Sequence, residues 1–320
     1  MSMLEVIVTQ AIVIILATGL ISLVVAMVKK LHSETAVSDS QVHLRQVSHL
    51  LLRDLQGSSK SYSRMGGLID IVDGGGAGSD SILVFKKDES LCNGQLTVTG
   101  NDPNDVGVLI DDTNGCPLSN DPASGCFEGE LANRTVLLIG NDSAALIPTQ
   151  VGGGSCRFIF PNGASDFGVD AWNATHPANP AGDVQDILDA VQPTQILIGS
   201  SYGYRLNGNT LERSIDALAA WEPVIDRVFD LQFERIYDVN RNGLIDSGEI
   251  ISASASVPLP AGFSGDNFLG VRIGIVTFSR ANDSLNVRPP PTFSNRNLSA
   301  APTGRRYRSS FVLAAVRNED

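Results

Sequence analysis

The chain begins with a run of apolar residues long enough to cross a membrane. From Val6 to Met27 no side chain carries a charge, and Lys29 and Lys30 follow almost directly. As a helix rising ~1.5 Å per residue, this run spans roughly 33 Å, which matches the hydrocarbon core of a bilayer. A cleaved secretory signal needs a basic segment before its apolar run and a small-residue cleavage site after it, and neither flanks this run. We therefore predict that it persists in the mature protein as an apolar helix.

Beyond Lys30 the sequence changes from apolar to amphipathic. Apolar residues recur at helical spacing until Gly57, where a serine-rich segment follows. The apolar positions are Val42, Leu44, Val47, Leu50, Leu51, Leu52 and Leu55. We predict one helical unit over residues 1–57, in which 1–28 is the apolar part and 29–57 lies with its apolar face on a sheet.

The remainder of the chain, residues 58–320, has the composition of a turn-rich globular domain. The protein is 42% hydrophobic and only 18% charged, with 31 glycines and 15 prolines. Several segments are rich in β-branched and aromatic residues and bounded by Gly, Asn, Asp or Pro, which is typical of strands. These segments are 81–87, 135–141, 156–161, 195–206, 210–215, 228–237, 270–280 and 307–316. The predicted fold class is α+β, with a long N-terminal helix packed on an antiparallel sheet in a head with long loops.

Charge and motifs argue against two classes of function. The net charge is −12 and no basic stripe crosses the head, so we expect no nucleic-acid partner, because such binding rests on Lys and Arg neutralising phosphates. The chain has no phosphate-binding loop, dinucleotide-binding glycine motif or His-Glu-x-x-His zinc motif. We therefore predict a protein that is not an enzyme.

Four cysteines lie in one stretch of the head: Cys92, Cys116, Cys126 and Cys156. None forms a Cys-x-x-Cys pair and no histidine lies close to them in sequence, so neither zinc nor thioredoxin spacing is present. An even number in Gly- and Ser-rich segments favours two disulfides and an oxidising compartment. Two pairings stay open, and of these we predict the nested one, Cys116–Cys126 inside Cys92–Cys156, over the sequential one.

The first five residues carry a resemblance to a known family. Met1-Ser-Met-Leu-Glu5, followed by the apolar run, resembles the mature N-terminus of the type IV pilin superfamily, which has a hydrophobic, usually methylated first residue and a glutamate at the fifth position. The resemblance implies a basic leader ending in glycine before Met1, and methylation of Met1. It also implies that Glu5 pairs with the N-terminal ammonium of a neighbouring subunit. The alternative is that Glu5 only complements the positive end of the helix dipole.

Segments of the head extend this resemblance along the chain. They are HLLLRDLQ, YRLNGNTLER, VIDRVFDLQFERIYDVNRNG, GVRIGIVTFSR and YRSSFVLAAVRN, and they are similar to PilW-type minor pilins, with the J-type pseudopilins of type II secretion as relatives. One departure is Ser22, close to where pilins often carry proline. Gly19 is the weak point nearby, so any kink or melted segment is expected between Thr18 and Ser22.

The function implied by this resemblance is that of a structural subunit in an extracellular pilus-like filament. Its expected partners are further copies of itself and other pilins, and before assembly it is anchored in the inner membrane. It can serve as the bulk subunit of a pilus with roles in motility and adhesion. Alternatives are a minor subunit that primes assembly at the tip, a type II secretion pseudopilin, or a membrane-anchored calcium-binding adhesin module.

A twelve-residue segment, 238–249, matches the calcium loop of an EF-hand position by position. Gly243, at position 6, allows the sharp turn that gathers the ligands. The predicted ligands are Asp238, Asn240, Asn242 and Glu249 through their side chains, Leu244 through its carbonyl oxygen, and Asp246 directly or through water. Strand-like flanks predict a lone structural calcium site on a β scaffold. The alternative is a turn rich in Asp, Asn and Gly that binds nothing.

Overall fold

The structure is a computed structural model in which one long helix precedes two antiparallel sheets. It describes residues 3–56, 69–74, 78–87, 95–101, 107–110, 135–140, 144–148, 150–151, 157–159, 184–215, 221–252, 267–279, 305 and 307–315. The described residues that follow the helix are called the head below. The predicted α+β class, with a long N-terminal helix on antiparallel strands, is confirmed.

Helix α1 runs from Met3 to Gln56, a length of 54 residues. Residues 18–22, where any melted segment was predicted to lie, are helical in this structure. The hydroxyl of Thr18 donates to the carbonyls of Ile14 (3.0 Å) and Ile15 (2.9 Å), which keeps this polar side chain within the helix itself. Every residue from 3 to 32 is exposed, whereas buried residues begin at Ala36. We call residues 3–32 the exposed half and residues 33–56 the packed half.

The larger sheet is built around one long central strand. Its strands are β1 (Ile69–Val72), β2 (Ser81–Lys87), β3 (Gln95–Asn101), β4 (Gly107–Ile110), β5 (Thr135–Ile139), β6 (Ala144–Pro148), β7 (Gln150–Val151), β8 (Arg157–Ile159), β9 (Gln195–Asn207), β10 (Thr210–Ile215) and β11 (Glu222–Ile225). Strand β9 pairs with β2, β3, β5 and β10, all antiparallel. The turn between β9 and β10 places Gly208 at φ +61°, a left-handed conformation that glycine adopts without steric cost.

The smaller sheet has the strand order β13-β12-β14-β15. Its members are β12 (Val228–Tyr237), β13 (Ile250–Ser252), β14 (Phe268–Phe278) and β15 (Tyr307–Ala315). A short 3-10 turn, Ser247–Glu249, leads into β13. The packed half of α1 lies against β14 and β15, so one face of this sheet is closed by the helix.

All eight predicted strand segments contain strands, and their limits differ from those observed by at most a few residues. The sequence did not reveal strands β1, β3, β4, β6, β7, β11 and β13, which are two to seven residues long. It also missed helix α2 (Val184–Val191), whose apolar residues Ile187 and Leu188 are buried.

The hydrophobic core lies between the packed half of α1 and both sheets. Helix residues Val47, Leu51 and Leu55 are fully buried there. Their neighbours are Ile69, Ile71, Ile82, Val84, Tyr204 and Leu211 from the larger sheet and Leu231, Phe233, Val271, Ile273 and Ile275 from the smaller one. The helix therefore joins the two sheets, and the predicted amphipathic face supplies the contact.

The two sheets meet at a buried aspartate. The Asp80 amide donates to the Leu231 carbonyl (2.8 Å), and its carboxylate accepts the amides of Phe233 (2.9 Å) and Gly74 (3.1 Å). Strand β2 of the larger sheet starts at the next residue, so Asp80 ties that strand to β12 of the smaller sheet. Burial, together with the neighbouring Asp73, raises the pKa of Asp80 to about 7, although the two amide hydrogen bonds act in the opposite direction.

Candidate functional site

The exposed half of α1 is the largest apolar surface among the described residues. Ile15 is 69% exposed, and Leu16 and Leu20 are exposed to a similar extent. In the part of the chain that the structure describes, α1 is the one helix long and apolar enough to cross a membrane. Isolated apolar side chains are common on protein surfaces, but a continuous apolar cylinder of roughly 33 Å is not stable in water. This half needs lipid or other protein around it.

Two threonines of the exposed half form hydrogen bonds within their own helix. The hydroxyl of Thr9 donates to the Glu5 carbonyl oxygen (2.7 Å), and Thr18 bonds back in the same way. Glu5 lies in the first turn of α1, where a carboxylate complements the positive end of the helix dipole. Met1, the other predicted assembly residue, lies outside the described residues. The single chain therefore leaves both interpretations of Glu5 open.

The packed half ends in a buried ion pair that the sequence did not reveal. Asp54 is 5% exposed, and its carboxylate accepts hydrogen bonds from the Arg213 guanidinium (2.9 Å) and the Tyr204 hydroxyl. Arg53 donates to the other oxygen at 3.0 Å. Burial and the bond to Asp54 raise the pKa of Tyr204, which stays protonated as the donor. These contacts fix the C-terminal end of α1 to β9 and β10.

A second set of polar contacts fixes the middle of the packed half. Arg227, at φ 62°, pairs with Asp39 of the helix. The His43 Nδ1 lies 3.7 Å from a carboxylate oxygen of Asp226, and the Thr277 hydroxyl donates to the Ser40 carbonyl (3.0 Å). The residues following β11 and the end of β14 therefore hold the middle of the packed half. The helix is attached to the head at two levels, about four turns apart.

The acidic loop, residues 238–249, has the turn that its sequence predicts. Gly243 has φ +74°, and its amide donates to Asp238 Oδ2 at 3.0 Å. The buried carboxylate of Glu249 reaches back across the loop, where it accepts the amides of Val239 (2.9 Å) and Asp246 (3.0 Å). The first and last predicted ligands thus brace the same closed loop.

The remaining predicted ligands lie on the open side of this loop. The amide groups of Asn240 and Asn242 donate to Asp246 Oδ2 at 3.1 and 3.4 Å. The Arg241 side chain takes no part in these bonds and donates to the Asn267 side-chain oxygen of the neighbouring segment (3.4 Å). Leu244 directly follows Gly243 at the turn. Among the described residues, no three His, Cys, Asp or Glu side chains form a group that could hold a metal ion. The loop carries carboxylate and amide oxygens, and its side chains bond to one another and to the loop backbone.

The predicted disulfides fall on residues that the structure does not describe. Cys92, Cys116, Cys126 and Cys156 all lie in the gaps between the described ranges. The nested and sequential pairings therefore both stay predictions.

Comparisons with known proteins add a structural likeness. No protein-family model matches the sequence, and no curated protein matches it. Among solved structures, the chain is similar to a type IV-like pilin from Thermus thermophilus at 10% sequence identity and a TM-score of 0.23, over 58% of this chain and 84% of the other. At this TM-score two chains need not share a fold, so nothing below depends on the likeness.

Proposed function

We propose that this protein is a structural subunit of a type IV pilus-like filament on the cell surface. In this proposal, the exposed halves of α1 from many copies bundle into the filament core, and the heads cover it. Before assembly the same half anchors each copy in the inner membrane. No catalytic step is involved, and the partners are further copies of this chain and other pilins.

The observation that carries the proposal is the division of α1 into two halves. One half is built into the head by apolar contacts and a buried ion pair, so its orientation relative to the head is fixed. The other half projects as an apolar rod, and none of its apolar residues is buried against the head. A lone membrane anchor does not require a rigid connection to its head, whereas packing into an ordered filament does. The N-terminal sequence, Met1 to Glu5 ahead of the apolar run, supports the same conclusion.

Within this function, we infer a subunit of the PilW type. The head motifs resemble PilW-type proteins and the related J-type pseudopilins alike, and two roles are weighed for the subunit, that of a bulk subunit and that of a minor subunit that primes assembly at the tip. The number of copies distinguishes them, since a bulk subunit is abundant in filaments sheared from the cell surface and a tip subunit is present in trace amounts. A chain that is absent from sheared filaments and confined to the membrane would instead indicate the anchored adhesin module.

The central test is the variant Glu5→Ala in the full-length chain. If Glu5 pairs with the N-terminal ammonium of a neighbour, the variant inserts in the membrane and its head melts like the wild type, but filament yield falls strongly. Glu34→Ala, a change in an exposed i,i+4 pair with Lys30 (3.9 Å), is the matched control and leaves yield unchanged. Wild-type filament yield from Glu5→Ala would reduce Glu5 to a residue that complements the helix dipole. Intact-mass analysis of the wild type tests the methylation of Met1.

We also propose that the acidic loop binds one structural calcium ion. Asp238, Asn240, Asn242, Asp246 and Glu249, with the carbonyl of Leu244, would hold it. In support, the loop is already closed by Asp238 and Glu249, so little chain ordering opposes binding. With only three carboxylates, its affinity should be that of extracellular modules, with Kd roughly 10⁻⁴–10⁻³ M.

Calorimetric titration of the full-length chain with calcium tests this second proposal. The wild type should bind one equivalent, and Glu249→Gln should weaken binding strongly because it removes a charged, bidentate ligand. Glu222→Gln, an exposed carboxylate of β11, is the control and should bind like the wild type. The absence of binding heat in the wild type at millimolar calcium would leave the loop as a turn.

A further inference from the structure

Gln10 is a polar side chain in the exposed half without a hydrogen-bonding partner among the described residues. Gln10 lies within the apolar run, and its neighbours on the helix face, three, four and seven positions away, are Val6, Val13 and Ala17. Gln10 is exposed and makes no hydrogen bond to any described residue. Its primary amide carries two N–H donors and an acceptor oxygen, and all of these hydrogen-bonding groups are unsatisfied on this apolar surface.

The other polar residues of the run can satisfy themselves. The hydroxyls of Thr9 and Thr18 donate to carbonyls three or four residues earlier in the same helix. Ser22 has the same short side chain and the same option. Glutamine does not have it, because its longer side chain carries the amide away from its own backbone. In a lipid or helix-bundle environment, the Gln10 amide must therefore bond to another molecule or remain unpaired at a cost.

We propose that Gln10 fixes the register of α1 against the α1 helix of a second copy, through a hydrogen bond from its amide to a polar group on that helix. The inference rests on the proposed function, because a second copy is the partner that filament assembly brings against this face. Valine, isoleucine and leucine side chains surround the amide and pack about equally well at many axial positions. A single polar contact favours one of them, as a lone buried asparagine does in coiled coils.

The helix rotation makes this contact specific to one face. Residues two positions apart lie about 200° apart around an α-helix, so an amide at position 8 faces away from one at position 10. Val8 lies in the same uninterrupted apolar stretch and is also exposed. Placing the glutamine at position 8 and a leucine at position 10 thus keeps one glutamine in the run and nearly the same hydrophobicity, while the amide moves to the opposite face.

The experiment compares the full-length wild type with Gln10→Leu, with the double variant Gln10→Leu/Val8→Gln, and with Val13→Leu as an apolar control on the same face. Association of the chains in detergent micelles is measured by energy transfer, and filament order is measured by electron microscopy. Gln10→Leu should weaken association about 3- to 30-fold, the range of interhelical polar contacts in apolar surroundings, and give filaments with irregular axial spacing. The double variant should be equally impaired, and Val13→Leu should behave like the wild type.

Two outcomes would overturn the inference, and they differ from failure of the proposed function. If Gln10→Leu associates and assembles like the wild type, or if the double variant does, the amide at position 10 sets no register although the filament proposal stands. If the wild-type chain itself neither associates nor forms filaments, both proposals fail. The melting temperature of the head should be the same in all four proteins, because position 10 is remote from it.

Discussion

The two halves of α1 are one continuous helix with opposite means of stabilisation. Leu51 in the packed half is fully buried, whereas Ile15 in the exposed half is 69% exposed, although both are large aliphatic residues in the same kind of backbone. The packed half even buries the charge of Asp54, with Arg213 as its counter-ion. The exposed half keeps its polar groups within the helix or leaves them at the surface.

The difference shows that the head buries the apolar residues of only one half of this helix. Contacts of the packed half are intramolecular, so substitutions there should change the stability of one chain. Contacts of the exposed half can only be made with lipid or with another molecule, so substitutions there should change assembly and leave the head intact. The predictions below test this division, from the largest expected effect to the smallest.

The largest effect is expected for Asp54→Ala. The substitution leaves the Arg213 charge buried without its partner and the Tyr204 hydroxyl without its acceptor. Removing one member of a buried ion pair typically costs about 3–5 kcal/mol in the free energy of unfolding. Chemical denaturation of the full-length chain in detergent, followed by near-ultraviolet circular dichroism, measures it. The exposed pair Lys30–Glu34 provides the contrast, since Lys30→Ala, a substitution in the exposed half, should cost less than about 0.5 kcal/mol. Similar losses from both variants would contradict the division.

The next effect is that of a matched pair of leucines. Leu51→Ala creates a cavity in the core and should lower the free energy of unfolding of the head by about 2–4 kcal/mol. Leu20→Ala removes the same atoms from the exposed half and should leave the unfolding of the head unchanged within about 0.5 kcal/mol. Both are read in the same denaturation experiment. A large loss from Leu20→Ala would mean that the head and the exposed half unfold together.

Asp80 extends the comparison to a second buried carboxylate of the head. Its charged neighbour is the acidic Asp73, whereas that of Asp54 is a cation. The pKa of Asp80 is raised from 3.8 to about 7 in the folded state, so the folded chain binds more protons than the unfolded chain between these values. Stability should therefore decrease as pH rises from about 4 to about 7 and be independent of this group above that range, a loss on the order of 2 kcal/mol once sharing of the proton with Asp73 is considered.

The variant Asp80→Asn tests this pH dependence, because it removes the titration. Melting temperatures of wild type and variant are compared from pH 4 to pH 8, so that the other carboxylates cancel in the difference. The gap between the two curves should change across that range in the direction that favours the wild type at low pH. A constant gap would show that Asp80 is already ionised at pH 4. Asp39→Asn, at a partly exposed carboxylate, is the control.

The smallest effect is expected from calcium. Binding to the folded chain alone stabilises it by RT ln(1 + [Ca²⁺]/Kd), which is about 1 kcal/mol at millimolar calcium and the affinity proposed above. The melting temperature of the head should rise with added calcium, fall back with chelator, and respond to neither in Glu249→Gln. Coincident wild-type curves would contradict the proposal. Filament assembly should depend on calcium far less than on Glu5, because the acidic loop is part of the head.

Much of this arrangement could be predicted because its signals are local. The apolar run, the amphipathic spacing after Lys30 and the β-branched strands of the head each depend on residues close in sequence, and the observed elements follow them. The turn between β9 and β10 contains an Asn-Gly pair, which is a local signal of the same kind. The turn of the acidic loop, with Gly243 at a positive φ, is also a local property.

The sequence by itself determined where the apolar part of the helix gives way to the amphipathic part, and which of the longer segments form strands. The tertiary structure alone decided that Asp54 meets Arg213, 159 positions away, and that Asp80 joins the two sheets. In the sequence, each of these charged side chains looks like an ordinary surface residue. Such pairings form only when the packed half of α1 and the two sheets pack together. Burial, rather than residue type, makes these charges costly unless they are paired or hydrogen-bonded.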